Sequence, residues 1–217
     1  MKNLIANISN RTAAKVTGLG IFILLIAGSY VFFALNTGLE PPGESAVAAA
    51  NNIKANVWLF SAVIAGILIM ITCNVVLALT FYLLLKQINK DLSLLSAILR
   101  FTYAIIFAIS MVFLFIEPIL FSSIFLIGQI FFALYLLVLG YLVFKSGYIP
   151  RILGVLLIIG GSLGYLTESL TSFLSPNYVW ISSLGIIVAV IAEISLGLWL
   201  LLKGDKIPEI SNKEESL

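Results

Sequence analysis

Apolar residues fill six stretches of this chain, each long enough to cross a bilayer, and short polar segments separate them. The pattern predicts helices over Val16–Leu35, Val57–Leu85, Leu94–Ile116, Ile119–Phe144, Ile152–Leu174 and Tyr178–Leu202. The second would reach ~43 Å at 1.5 Å per residue, so it should tilt within a hydrocarbon core of about 30 Å. From Leu94 to Phe144 the apolar run is nearly unbroken and would extend ~75 Å as one helix. It must therefore turn once, and Glu117-Pro118 is the credible break, because proline lacks an amide donor and disfavours helix at the residue before it.

Turn residues organise the connections. Glu40-Pro41-Pro42-Gly43 predicts a turn, after which Ser45 could cap a short surface helix over Ala46–Asn56. Pro150 suits the first turn of the fifth helix, and Ser175-Pro176-Asn177 turns the chain back into the sixth. The expected architecture is all-α: a polytopic transmembrane bundle of six helices (residues 16–202) between an N-terminal segment (1–15) and a polar tail (203–217) expected to be disordered.

Charge orients this bundle. With the N-terminus inside, eleven of the twelve Lys and Arg residues fall on the cytoplasmic side, and Lys54 alone falls outside. Cations near helix ends are retained in the cytoplasm during insertion, so both termini are expected there. The first apolar stretch is too long for the core of a cleaved signal peptide and reads as an uncleaved helix. Three helices finish alike, at Tyr82–Lys86, Tyr141–Lys145 and Trp199–Lys203. Duplicated hairpins would explain this, and so would an interfacial aromatic followed by a cytoplasmic lysine.

Composition narrows the chemistry. At 61% apolar and 10% charged residues the chain is unlike a soluble domain. It contains no histidine and one cysteine, Cys73. That argues against His-ligated haem, catalytic zinc and histidine-activated nucleophiles, and it rules out a disulfide within the chain. No cofactor or metal is expected, and the net charge of +2 reflects the loops, not a nucleic-acid surface.

The costly residues are the polar ones inside the membrane: Asn74, Glu117, Gln129, Glu168 and Glu193. Counting from the nearest cytoplasmic Lys or Arg puts Glu193 ~15 Å and Asn74 ~18 Å above that surface, with Glu117, Gln129 and Glu168 at ~24–26 Å. Helical phase places them beside small residues. Gly154, Gly161, Gly164, Glu168 and Ser172 share one stripe; Ser122, Gln129, Ala133 and Gly140 a second; Ser182, Ala189, Glu193 and Gly197 a third. Such stripes face neighbouring helices, as does the small-xxx-small pair Gly160 and Gly164. Arg100 and Arg151 are expected at cytoplasmic helix ends, snorkelling to water, so that no cation pairs with the carboxylates at depth. Glu193 then either serves proton-coupled transport, meets a cationic or hydroxylated ligand, or, as a protonated acid, hydrogen-bonds Asn74 or a helix carbonyl as a packing contact.

The run Gly140-Tyr-Leu-Val-Phe-Lys-Ser-Gly-Tyr-Ile-Pro-Arg-Ile-Leu-Gly-Val-Leu-Leu157, with Gly164-Tyr-Leu-Thr-Glu-Ser169 and Ala192–Leu201, resembles the bacterial membrane family called domain of unknown function 4386. The likeness extends through Leu77–Leu83 and Asn89–Arg100. It implies a polytopic bacterial membrane protein with no established activity. It also implies that Glu193 occupies a recurring acidic position, that Glu168 stands where Asp is commoner, and that Tyr135 stands where relatives often carry His.

Three functions are weighed. Glu193, Glu168, Asn74, Gln129 and Glu117 could line an outward-facing polar pocket that binds or transports a small lipophilic or cationic molecule. The small-residue stripes could instead serve a non-catalytic scaffold or regulatory subunit, as a homo-oligomer or with another protein. An intramembrane enzyme is disfavoured, since no nucleophile elbow, metal set or phosphate loop accompanies the glutamates. The expected location is the bacterial cytoplasmic membrane, with the lipid bilayer as the one certain partner.

Overall fold

The structure is a computed structural model and describes residues 9–39, 46–114, 116–174 and 179–208. The turns at Glu40–Gly43 and Ser175–Asn177, the cap at Ser45 and the side chain of Ser172 lie outside the described residues. Six helices are long and apolar enough to span a membrane, and no strand occurs among the described residues.

The first helix, Asn10–Ala34, begins six residues before Val16 because Ser9 caps it, its Oγ accepting from the Thr12 amide at 3.2 Å. A wide π turn, Leu35–Leu39, ends it. A short helix, Ala46–Ala55, precedes the second span, Val57–Leu85. The third span, Lys90–Phe113, also starts earlier than expected: Asn89 Oδ1 accepts from the Leu92 amide at 2.9 Å. Its end and the start of the fourth span, Pro118–Lys145, flank Glu117-Pro118 as anticipated, with proline in the first turn.

The fifth span departs from a plain α-helix. It runs as Arg151–Ile159, then a π-helical segment Gly160–Leu166, then Thr167–Leu174. Pro150 is its cap and not its first residue. The sixth span, Val179–Lys203, leads into a 3₁₀ turn, Gly204–Lys206.

Each span packs on its neighbours in sequence, and the first packs on the sixth, so the six helices close into a ring. Glycines set the tightest approaches. A Cβ on Gly140 would lie 2.6 Å from the Gly154 carbonyl oxygen, and one on Gly185 2.2 Å from the Gly164 nitrogen. The fifth span is thereby held between the fourth and the sixth, and its small residues are used within the chain.

The tail is ordered further than expected. Ile207 is buried, Gly204 lies against Ala14, and the Asn10 side-chain amide donates to the Pro208 carbonyl. The first helix therefore starts beside the end of the sixth, and the two ends of the described chain share one face. Lys86, Lys90, Lys145, Arg151 and Lys203 end or begin helices on that same face, called here the basic face. There Tyr148 Oη donates to the Leu84 carbonyl at 3.0 Å and Ser93 Oγ to the Tyr82 carbonyl at 3.1 Å, tying loops to helix ends.

Outward surfaces are apolar, with Leu19, Ile26, Phe32, Leu68, Val112 and Leu202 exposed as lipid contact requires. Hydroxyls in the spans largely satisfy themselves on their own helix; Thr17, Thr72 and Thr171 donate to the carbonyl four residues earlier.

Candidate ligand-binding cavity

Two adjoining cavities enter the ring from the end opposite the basic face. The outer one, of ≈ 520 Å³, is lined by residues near the far ends of the first, third and fourth spans, including Leu35, Leu114 and Phe121. Met70 and Glu168 bring in the second and fifth spans. The inner one, of ≈ 250 Å³, shares Gly28, Met70 and Phe125 with it and draws on all six spans. A space lined by every helix of a closed ring lies on its axis. The outer part is almost wholly apolar, whereas the inner part carries Asn74, Gln129, Glu193 and the rings of Tyr103, Phe132 and Tyr165.

Four of the five polar residues singled out from sequence line this space. Glu193 is 8% exposed, Asn74 1% and Gln129 5%. Glu168 faces the outer cavity and is hydrogen-bonded to the Gln129 side chain. Asn74 Nδ2 donates to the Met70 carbonyl of its own helix at 3.0 Å, and its Oδ1 has no hydrogen-bond partner among the described residues. Glu117 stands apart: it is exposed at the start of the fourth span and lines neither cavity.

Sequence reasoning missed the centre of the bundle. Arg100 does not snorkel; it is 1% exposed and is among the largest fully buried side chains of the protein. Because the third helix starts at Lys90 and not Leu94, Arg100 sits ten residues in, ~15 Å from the basic face. Its Nη1 donates to Tyr135 Oη at 2.5 Å, and its guanidinium carbon lies 4.7 Å from the Tyr135 ring centroid, 5.7 Å from Phe132 and 6.0 Å from Phe81. Three aromatic faces thus replace part of the hydration that a bilayer interior denies a cation. Nε and Nη2, the edge suited to a planar oxyanion, have no hydrogen-bond partner among the described residues.

Arg100 also lies within electrostatic reach of Glu193. The expectation that no cation accompanies the carboxylates at depth is therefore corrected. A usable signal was present: Lys90 to Arg100, Tyr135 to Lys145 and Glu193 to Lys203 are each ten residues, which sets all three side chains at one depth. Below this layer the interior is filled by Leu77, Leu84, Leu139, Leu142, Leu196 and Leu200, all essentially inaccessible. The axial space is open at one end and plugged at the other.

The aromatic walls are built by contact between spans. Phe132 packs on Tyr103 with centroids 4.7 Å apart and meets Tyr165 edge-on at 4.9 Å. Tyr165 belongs to the π-helical segment, whose wider turn adds a residue without breaking the span. Ser169 then donates to the Leu126 carbonyl at 3.1 Å, pinning the fifth span to the fourth just beyond the bulge.

Six membrane-length helices around an axial cavity define a multi-pass membrane protein. Residues 16–117 and 118–204 match the family described as Domain of unknown function (DUF4386), and the chain belongs to that family. A relative described as "Uncharacterized protein" from Archaeoglobus fulgidus is 36% identical over 147 residues, covering 68% of this chain and 86% of its own length. No solved structure matches the chain.

Proposed function

We propose that this protein binds a small, mostly apolar molecule with a polar end, taken up into the axial cavity from the outer half of the cytoplasmic membrane. The observation that carries this reading is the grading of the cavity from an apolar mouth to a polar floor of Asn74, Gln129 and Glu193. Its volumes suit one small ligand. Among the described residues, the eight other cations assigned to the cytoplasm, Arg11, Lys15, Lys86, Lys90, Lys145, Arg151, Lys203 and Lys206, lie toward the basic face, which supports cytoplasmic termini and an outward-facing mouth. The scaffold reading loses its main support, since the glycine stripes that would dock a partner pack inside the chain.

Native mass spectrometry of the protein released gently from its own membranes tests the proposal, with Glu193→Gln run beside it. A non-lipid mass retained by wild type and lost by the variant is the expected result. A ligand-free protein, or an oligomer unaffected by the substitution, would overturn it.

A further inference from the structure

We infer that the polar end of the ligand is a cation, a protonated amine carried on an apolar body. This rests on the binding role proposed above and assigns it a chemical class. Two carboxylates line the joined cavities, Glu168 in the outer and Glu193 in the inner, and no Lys or Arg lines either one among the described residues. The one buried cation among the described residues, Arg100, lines neither cavity, although its guanidinium lies against Phe132, whose ring forms part of the cavity wall. One buried cation, Arg100, stands against two carboxyl groups, Glu168 and Glu193, so an arriving ammonium can pair with a carboxylate, whereas an arriving anion finds no cation on the cavity wall among the described residues.

Hydrogen-bonding capacity on the cavity wall points the same way, because the partnerless Arg100 Nε and Nη2 belong to a side chain that lines neither cavity. Asn74 is 1% exposed and lines the inner cavity, and its Oδ1 lacks a partner among the described residues. An amide oxygen and a carboxylate at one cavity floor call for a donor, and an ammonium group supplies three. Tyr103, Phe132 and Tyr165 surround that floor with ring faces and edges, and such rings attract a desolvated cation. The apolar body then occupies the outer cavity, among Phe121, Phe125 and Met111.

The test compares three probes with one decyl chain and different ends: decylammonium, decanol and decanoate. Each is offered at equal concentration to the full-length protein in lipid nanodiscs, and retention is read by native mass spectrometry. Decylammonium should be retained about tenfold more tightly than decanol, and decanoate least. Glu193→Gln should abolish the preference for the amine, and Asn74→Leu should reduce it, with thermal unfolding reporting whether each variant is folded. Equal retention of all three probes, with all three displaced by the cavity-filling Ser122→Trp, would overturn the cationic assignment and leave the cavity as a binding site. Preference for decanoate would do the same. Failure of wild type to retain any probe above Ser122→Trp would overturn the binding role itself.

Discussion

Arg100 and Tyr135 face each other across the third and fourth spans, joined by a hydrogen bond from Nη1 to the phenolic oxygen and by stacking of guanidinium over ring. A buried arginine is stable in such a place when aromatic faces, a hydrogen-bond acceptor and a nearby carboxylate together replace its water. Here those are the rings of Tyr135, Phe132 and Phe81, the Tyr135 hydroxyl, and Glu193.

Removing one charge from this set should cost more than removing both. Arg100→Leu leaves Glu193 uncompensated and should destabilise the bundle by about 3–5 kcal/mol. Adding Glu193→Gln should recover about 1–3 kcal/mol of that loss. Reversible unfolding in mild detergent across the four-protein cycle measures the coupling, and strict additivity would refute an electrostatic link between the two residues.

Close backbone approaches make a sharper contrast. At Gly185 a methyl would meet main-chain atoms of Leu163 and Gly164 at 2.2 Å, and neither can swing aside. Gly185→Ala should lose about 2–3 kcal/mol or more. At Gly28 the nearest atom is the Met70 methyl at 3.4 Å, on a flexible side chain. Gly28→Ala should stay within about 0.5 kcal/mol of wild type. Melting temperatures of the two variants decide the matter.

Tyr148 lies in the connection between the fourth and fifth spans, donating to the Leu84 carbonyl and accepting from Gln87 at 3.1 Å. Burial pushes its phenol above the ordinary value of 10.0. The folded protein therefore holds this proton after the unfolded chain has released it. The stability so gained is complete below about pH 10 and fades as the pH climbs further. Tyr148→Phe should cost about 1 kcal/mol at neutral pH and flatten the alkaline limb of the stability profile. An alkaline limb identical in both proteins would contradict the assignment.

Orientation can be read with thiols. In a Cys73→Ser background, Lys54→Cys should react with a membrane-impermeant maleimide applied to intact cells, while Gln87→Cys should react after lysis alone. The reverse pattern would turn the cavity mouth toward the cytoplasm.

The six spans, the break at Glu117-Pro118 and the inward direction of Asn74, Gln129, Glu168 and Glu193 were legible because lipid imposes them. A bilayer fixes how long a helix must be, and polar groups cannot face hydrocarbon cheaply. The depth of Arg100 was not legible from hydropathy, because Lys90, Asp91 and Ser93 read as loop until the Asn89 cap shows that the helix includes them. A shift of four residues at the helix start converts a snorkelling arginine into a buried one. The π segment was hidden for a different reason. Gly160, Gly161 and Gly164 satisfy an α-helical spacing, and nothing in that spacing marks the segment that packs on Ala189 and Gly185 on one side and Leu136 on the other.

That wide turn at Gly160–Leu166 makes the fifth span tolerant of a change in length. A π turn holds one more residue than an α turn over nearly the same rise. Deleting a residue within it should let the segment relax to ordinary α-helix, leaving the flanking registers at Gly154 and Ser169 where they are. The same deletion in the fourth span, which has no such slack, would rotate Tyr135 away from Arg100. Homologous chains are thus free to differ by one residue here, and the polar core beneath need not respond.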